Sequence, residues 1–141
     1  MILNFSNGLN ILAILGSGIA SLILGFVWYG RLFGKAWAGY TGWTEEKIKT
    51  IPGSRMARTY ILTFLAALVS AFVLAVLSRA LGASGALDVL ILGLVTGIGI
   101  AAMGFATTFL FEHKPLGLWL IVAGYQVFYL VIAGIIVTVW R

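Results

Sequence analysis

The chain has 141 residues, 62% of them hydrophobic and 9% charged, and its mean hydropathy is +1.11. Soluble domains carry about 25% charged residues, so water is excluded as the only solvent and lipid must cover the apolar surplus. The net charge of +5 rests on cations too few and too scattered for nucleic acid, and the lack of cysteine removes disulfides, thiolate metal sites and cysteine nucleophiles.

In chain order, the first apolar run covers about Leu9 to Tyr29 with no charge inside it. It has no Lys or Arg ahead of it and is too long for the hydrophobic region of a signal peptide, so it reads as a retained span. Next comes "WYGRLFGKAWAGYTGW", residues 28–43, with six aromatic residues, two cations, four glycines and no acid. Tyr29, Phe33, Trp37 and Tyr40 share one stripe of a helix and Arg31 and Lys35 the other. Such a stretch fits an amphipathic segment lying in the membrane interface, with Trp28 and Tyr29 at its rim and their polar atoms wet. The four glycines favour a break into two short pieces. Thr44 followed by Glu45 and Glu46 reads as a capped helix start, and Pro52-Gly53 ends that helix.

The second span covers about Ala57 to Ser78, the third Val89 to Phe111, and the fourth Leu116 to Trp140, with Pro115 starting the last. The sequence therefore predicts an all-α, polytopic membrane protein, a single domain over residues 1–141 with four transmembrane helices in a bundle and an interfacial segment in the first loop. Arg31, Lys35, Lys47, Lys49, Arg55, Arg58 and Lys114 lie on one side, and only Arg79 and Arg141 on the other, which is seven cations against two. Basic loops stay cytoplasmic, so both termini are expected outside.

Small residues recur at helical spacing: Ser17, Ser21 and Gly25 in span one, Ala67, Ala71 and Ala75 in span two, Gly93, Gly97 and Ala101 in span three. Such faces let backbones approach closely. They serve either packing within one chain or, best through Gly93, Gly97 and Ala101, a contact between subunits, and a homo-oligomer is expected. A faint echo between Gly18–Ser21 and Gly99–Ala102 is within reach of chance for glycine-rich helices. No ionisable residue lies deep in a span. Gln126 is the deepest strongly polar side chain, beside Tyr125, and either binds a substrate or hydrogen-bonds a neighbouring helix. Glu112, His113, Lys114 and Pro115 form the one cluster with chemical potential. His113 is the sole histidine, so no usual imidazole metal set exists within one chain, and no nucleophile–base pair is evident. No metal, cofactor or catalytic residue is expected.

Several stretches together resemble an uncharacterised bacterial membrane family, domain of unknown function 1761. They are "LGFVWYGRLFGKAW" (Leu24 to Trp37), "TGWTEEKIK" (Thr41 to Lys49), Asp88, "FEHKPLGLWLIVAGY" (Phe111 to Tyr125) and Gly134. Arg31 stands where the family often has proline. The resemblance implies a four-span protein of a bacterial inner membrane and no assigned activity. It directs attention to Trp28, Tyr29, Gly34, Lys35, Trp37, Glu112, Pro115, Gly124 and Tyr125. The expected role is a channel, transport or binding site for a small solute or ion. The alternatives are a scaffold or accessory subunit whose basic rim docks a partner and, last, an enzyme acting on lipid through Glu112 and His113.

Overall fold

A computed structural model describes residues 8–140; Arg141, counted above among the cations of the far side, lies outside them. The chain runs as α1 (Ile11–Phe26), a π-helical segment π1 (Val27–Leu32), α2 (Gly34–Thr41), α3 (Glu45–Lys49), α4 (Gly53–Ala80), α5 (Ala86–Leu94), a second π-helical segment π2 (Val95–Ala102), α6 (Met103–Phe111) and α7 (Leu116–Val139). Among the described residues there is no strand. Continuous helical rods make up four spans of 22, 28, 26 and 24 residues: Ile11–Leu32, Gly53–Ala80, Ala86–Phe111 and Leu116–Val139. At 1.5 Å per residue each exceeds the roughly 30 Å of a bilayer's hydrocarbon. Large apolar side chains such as Ile100, Leu110, Phe111 and Val139 point outward, as lipid-facing residues do. This is a multi-pass, all-α membrane protein.

The boundaries follow from local chemistry. The Asn10 side chain accepts from the Leu12 and Ala13 amides at the start of α1, and its own amide donates to the Trp140 carbonyl at 3.0 Å, joining the two chain ends at what we call the terminal end of the bundle. Thr44 caps α3 by accepting from the Lys47 amide at 3.3 Å, as its position before two glutamates predicts. The second span starts at Gly53 directly after Pro52, four residues ahead of the sequence-based boundary, because a helix at a membrane surface tolerates Arg55 and Arg58 inside it. Asp88 accepts from the Ser84 and Gly85 amides, each at 3.1 Å, and so opens the third span at Ala86.

α7 is the central rod, flanked by α1, α4 and α5. Its seams use hydroxyls and missing side chains in place of hydrophobic contrast, since lipid is as apolar as any core. A Cβ on Gly93 would lie 2.7 Å from the Val131 Cα, and one on Gly97 would lie 2.9 Å from the Val127 Cα. The face offered above as the best subunit contact is therefore occupied by α7 of the same chain. Ala71 and Ala133, both fully buried, form the centre of the core with Ala13, Leu74 and Val137. The Ser78 and Thr138 hydroxyls hydrogen-bond at 2.7 Å. The supposed repeat does not share an environment: Gly18 is pressed against Phe64 and Leu68, whereas Gly99 has nothing nearby.

The interfacial segment is divided differently from its helical stripe. Val27–Leu32 continues the first span as a π turn, in which the Phe33 amide bonds the Trp28 carbonyl at 2.8 Å. The chain then breaks at Phe33 (φ −122°, ψ 10°). Gly34 is required there, because a Cβ would sit 2.7 Å from the Tyr29 carbonyl oxygen. Only α2 remains as a surface piece, with no buried residue, ending at Gly42 with φ 75°, a conformation that suits glycine.

Candidate functional site

α1 and α4 cross closely at one level. A Cβ on Gly18 would lie 2.6 Å from the Phe64 ring and 2.7 Å from Leu68, and the Tyr129 hydroxyl of α7 donates to the Ala67 carbonyl at 2.6 Å. From this crossing toward the loops that hold most of the cations, the basic end, the two helices diverge. No residue of α4 before Ala67 is buried. The space between them is a laterally open cleft of about 350 Å³. Its α1 wall is Ser21, Gly25, Phe26 and Tyr29, its α4 wall Thr59, Tyr60 and Thr63, and its back Tyr125 of α7.

The rings behind the cleft are fixed in place. Tyr125 donates its hydroxyl to the Ser21 carbonyl at 2.8 Å. Its ring lies 5.4 Å from Tyr29 and stacks 6.5 Å from Tyr129, and Tyr29 in turn meets Trp37 of α2 edge-on at 6.0 Å. Four rings thus run from the basic surface to the centre of the bundle. Beside them Trp28 packs over Gly124, where a Cβ would fall 2.9 Å from the indole, and between Phe33 and Phe128 at 4.7 and 5.2 Å. Its indole N–H donates to the Ile121 carbonyl at 2.9 Å. Trp28, expected at a wet rim, is 8% exposed. The wider π turn rotates it from the surface onto α7, and the Ile121 carbonyl takes the place of water.

Three hydroxyls in the cleft differ from the rest. Ser17 and Ser21 spend theirs on carbonyls of their own helix, at 2.9 and 2.7 Å, and Thr59 donates to the Arg55 carbonyl at 3.1 Å. Those of Tyr29, Tyr60 and Thr63 bond to no described residue and line the opening. Hydroxyls in such a recess with no partner among the described residues are available to a guest.

The remaining sequence candidates do not gather into one site. Lys35 is exposed on α2, and Trp37 is half-buried above Tyr29. Ser17, Ser21 and Gly25 share one face of α1, with Gly25 beside the Tyr125 ring. Glu112 pairs with Lys114 at 2.6 Å on the surface, and Lys114 also lies 5.0 Å from the Phe109 ring centre. His113, at φ 54°, occupies the left-handed turn that ends α6, where the Lys114 amide returns to the Phe109 carbonyl at 2.9 Å. No three acidic or histidine residues converge among the described residues, so Glu45, Glu46, Glu112 and His113 form no group of three. Gln126 shares the helix face of Leu130, Ala133 and Val137, all three buried, yet it is half-exposed and its amide makes no hydrogen bond to a described residue. The helix partner expected for it is not found among the described residues.

Sequence reading missed the α4 wall. Thr59, Tyr60 and Thr63 offer three hydroxyls within about one turn of a largely apolar span, which was the available signal. It also passed over Trp119, whose indole N–H donates to the Ala102 carbonyl at 3.0 Å. That carbonyl lies at the π2–α6 junction, where a change of helix type disturbs the ladder.

The fold and cleft thus define a small four-span bundle with a membrane-facing opening. The chain belongs to the family described as protein of unknown function (DUF1761), which matches residues 12–138. No curated protein and no solved structure matches it.

Proposed function

We propose that this protein is a non-enzymatic component of a bacterial inner membrane that binds, and as a homo-oligomer passes on, a small amphipathic molecule held in the cleft between α1 and α4. The observation that carries this reading is the set of unbonded hydroxyls of Tyr29, Tyr60 and Thr63 in a laterally open, mostly apolar recess. An apolar guest with one or two polar atoms fits such a surface better than a hydrated ion, which needs a continuous polar lining. The Gln126 amide, which has no hydrogen-bond partner among the described residues, supports self-association, because an amide at membrane depth gains from a second copy's polar group. Seven cations at the basic end support placing that end in the cytoplasm and both termini outside.

Reconstituted protein tests the reading. Photoactivatable amphiphiles should label peptides of α1 and α4, and Thr63→Trp, which fills the recess, should abolish that labelling. Flux of a small amphiphile from liposomes should rise with protein and fall with the same variant. Labelling spread evenly over all four spans would remove the proposal. A second reading, a scaffold docking a partner, draws on α2 and α3, neither of which has a buried residue. Cross-linking through Lys35, Lys47 and Lys49 to one dominant heterologous protein would favour it, and self-adducts alone would count against it.

A further inference from the structure

The cleft is blind at one end, and at the other both of its walls lead along the chain into arginines. At the Gly18 crossing no space remains for even a methyl group. Toward the basic end the two walls run directly into arginines: Arg31 follows Gly30 on the α1 side, and Arg55 and Arg58 precede Thr59 on the α4 side. Arg55 lies one turn from Thr59, whose hydroxyl bonds its carbonyl. All three arginines are exposed. Neither wall offers them a carboxylate, since Ile11–Leu32 and Gly53–Ala80 contain no Asp or Glu. Between the arginines and the blind end lie the Tyr29, Tyr60 and Thr63 hydroxyls, and below these the apolar surfaces of Leu22, Gly25 and Phe26.

Cations flanking the walls in sequence, hydroxyls at the neck and hydrocarbon at the base follow the order of a phospholipid's own parts: phosphate, ester oxygens, acyl chain. We propose that the cleft is a binding site for an anionic phospholipid of the adjoining leaflet, its phosphate held by Arg31, Arg55 and Arg58 and one acyl chain laid between α1 and α4. The inference rests on reading the cleft as an amphiphile site and adds the headgroup's charge. A soluble anion would leave the apolar base empty, whereas a lipid reaches it sideways without leaving the membrane. Guanidinium groups suit phosphate because their planar fork donates two hydrogen bonds at once, and a basic juxtamembrane cluster favours anionic over zwitterionic lipid.

The test is native mass spectrometry of the full chain released from nanodiscs holding equal phosphatidylglycerol and phosphatidylcholine. The retained lipid should favour phosphatidylglycerol by at least about fivefold, the scale of one or two surface cations. Arg31→Gln, Arg55→Gln and Arg58→Gln together should bring that ratio to parity while one lipid is still retained. A matched variant, Lys35→Gln with Lys47→Gln and Lys49→Gln, removes equal charge away from the walls and should leave the preference intact. Thr63→Trp should release both lipids. Equal retention of the two lipids by the unaltered protein overturns the anionic headgroup and leaves the amphiphile site standing. Loss of preference in the lysine variant shows diffuse surface charge and overturns it equally. Undiminished lipid retention in Thr63→Trp removes the amphiphile site itself. Far-ultraviolet circular dichroism matching the unaltered protein establishes that each variant is folded.

Discussion

At the terminal end, α4 and α7 meet through Ala71 and Ala133, and Ser78 bonds Thr138 across the seam at 2.7 Å. At the basic end the same α4 has no buried residue for its first fourteen positions, Gly53 to Ala66. One helix therefore changes partnership halfway along its length, and the cause lies in side-chain size. Ala67, Ala71 and Ala75 let backbones close together, whereas the turn before Phe64 carries Thr59, Tyr60 and Thr63, which line the cleft. Close packing is concentrated where the chain ends are tied by Asn10 and Trp140 and where Arg79 bonds the Gly8 carbonyl. The open half holds the unbonded hydroxyls.

The contrast makes substitutions unequal. Gly93→Leu or Gly97→Leu should cost most, about 3 kcal/mol or more, because the clash is with the α7 backbone and cannot be relieved by a rotamer change. Thermal unfolding in detergent should show loss of the cooperative transition, and an unchanged midpoint would mean that α5, π2 and α7 are not packed as described. Trp28→Leu should follow at about 2 kcal/mol, since the ring fills the seat over Gly124 and its N–H satisfies Ile121. Had Trp28 been a surface anchor, the loss would be within noise.

Tyr129→Phe should cost about 1 kcal/mol, the usual size of a hydrogen bond between membrane helices. Tyr60→Phe in the open half removes a hydroxyl with no partner among the described residues and should change the midpoint hardly at all, so a comparable loss in both would abolish the difference between the halves. Gln126→Leu sharpens the same comparison. In a dilute, monomeric sample it should be neutral to within about 0.5 kcal/mol, while self-association measured by energy transfer in bilayers should weaken. A full loss in the monomer would show that the amide has a partner within the chain.

The number of spans, the helix cap at Thr44, the stop at Pro52 and the asymmetry of charge could all be read along the chain, because each depends on neighbours a few residues apart; the cap at Asp88 appeared only in the structure. The aromatic segment could be read only in part. Its glycines announced a break without locating it at Gly34, and the π turn that sends Trp28 inward depends on the gap offered by Gly124, 96 positions later. The family motif drew attention to Trp28, Gly124 and Tyr125 without disclosing that they touch.

Hydropathy was sufficient to place four rods in lipid, since a long apolar run has nowhere else to go. It could not say which face of each rod meets another, because lipid-facing and core-facing residues are equally apolar and the periodic contrast that marks a soluble helix is absent. That choice fell to pairs far apart in the chain, such as Tyr125 with Ser21 and Tyr129 with Ala67, separated by 104 and 62 residues. The cleft arises from the same source: two helices that meet at Gly18 and leave a gap beyond it, a geometry that exists only once the rods are packed.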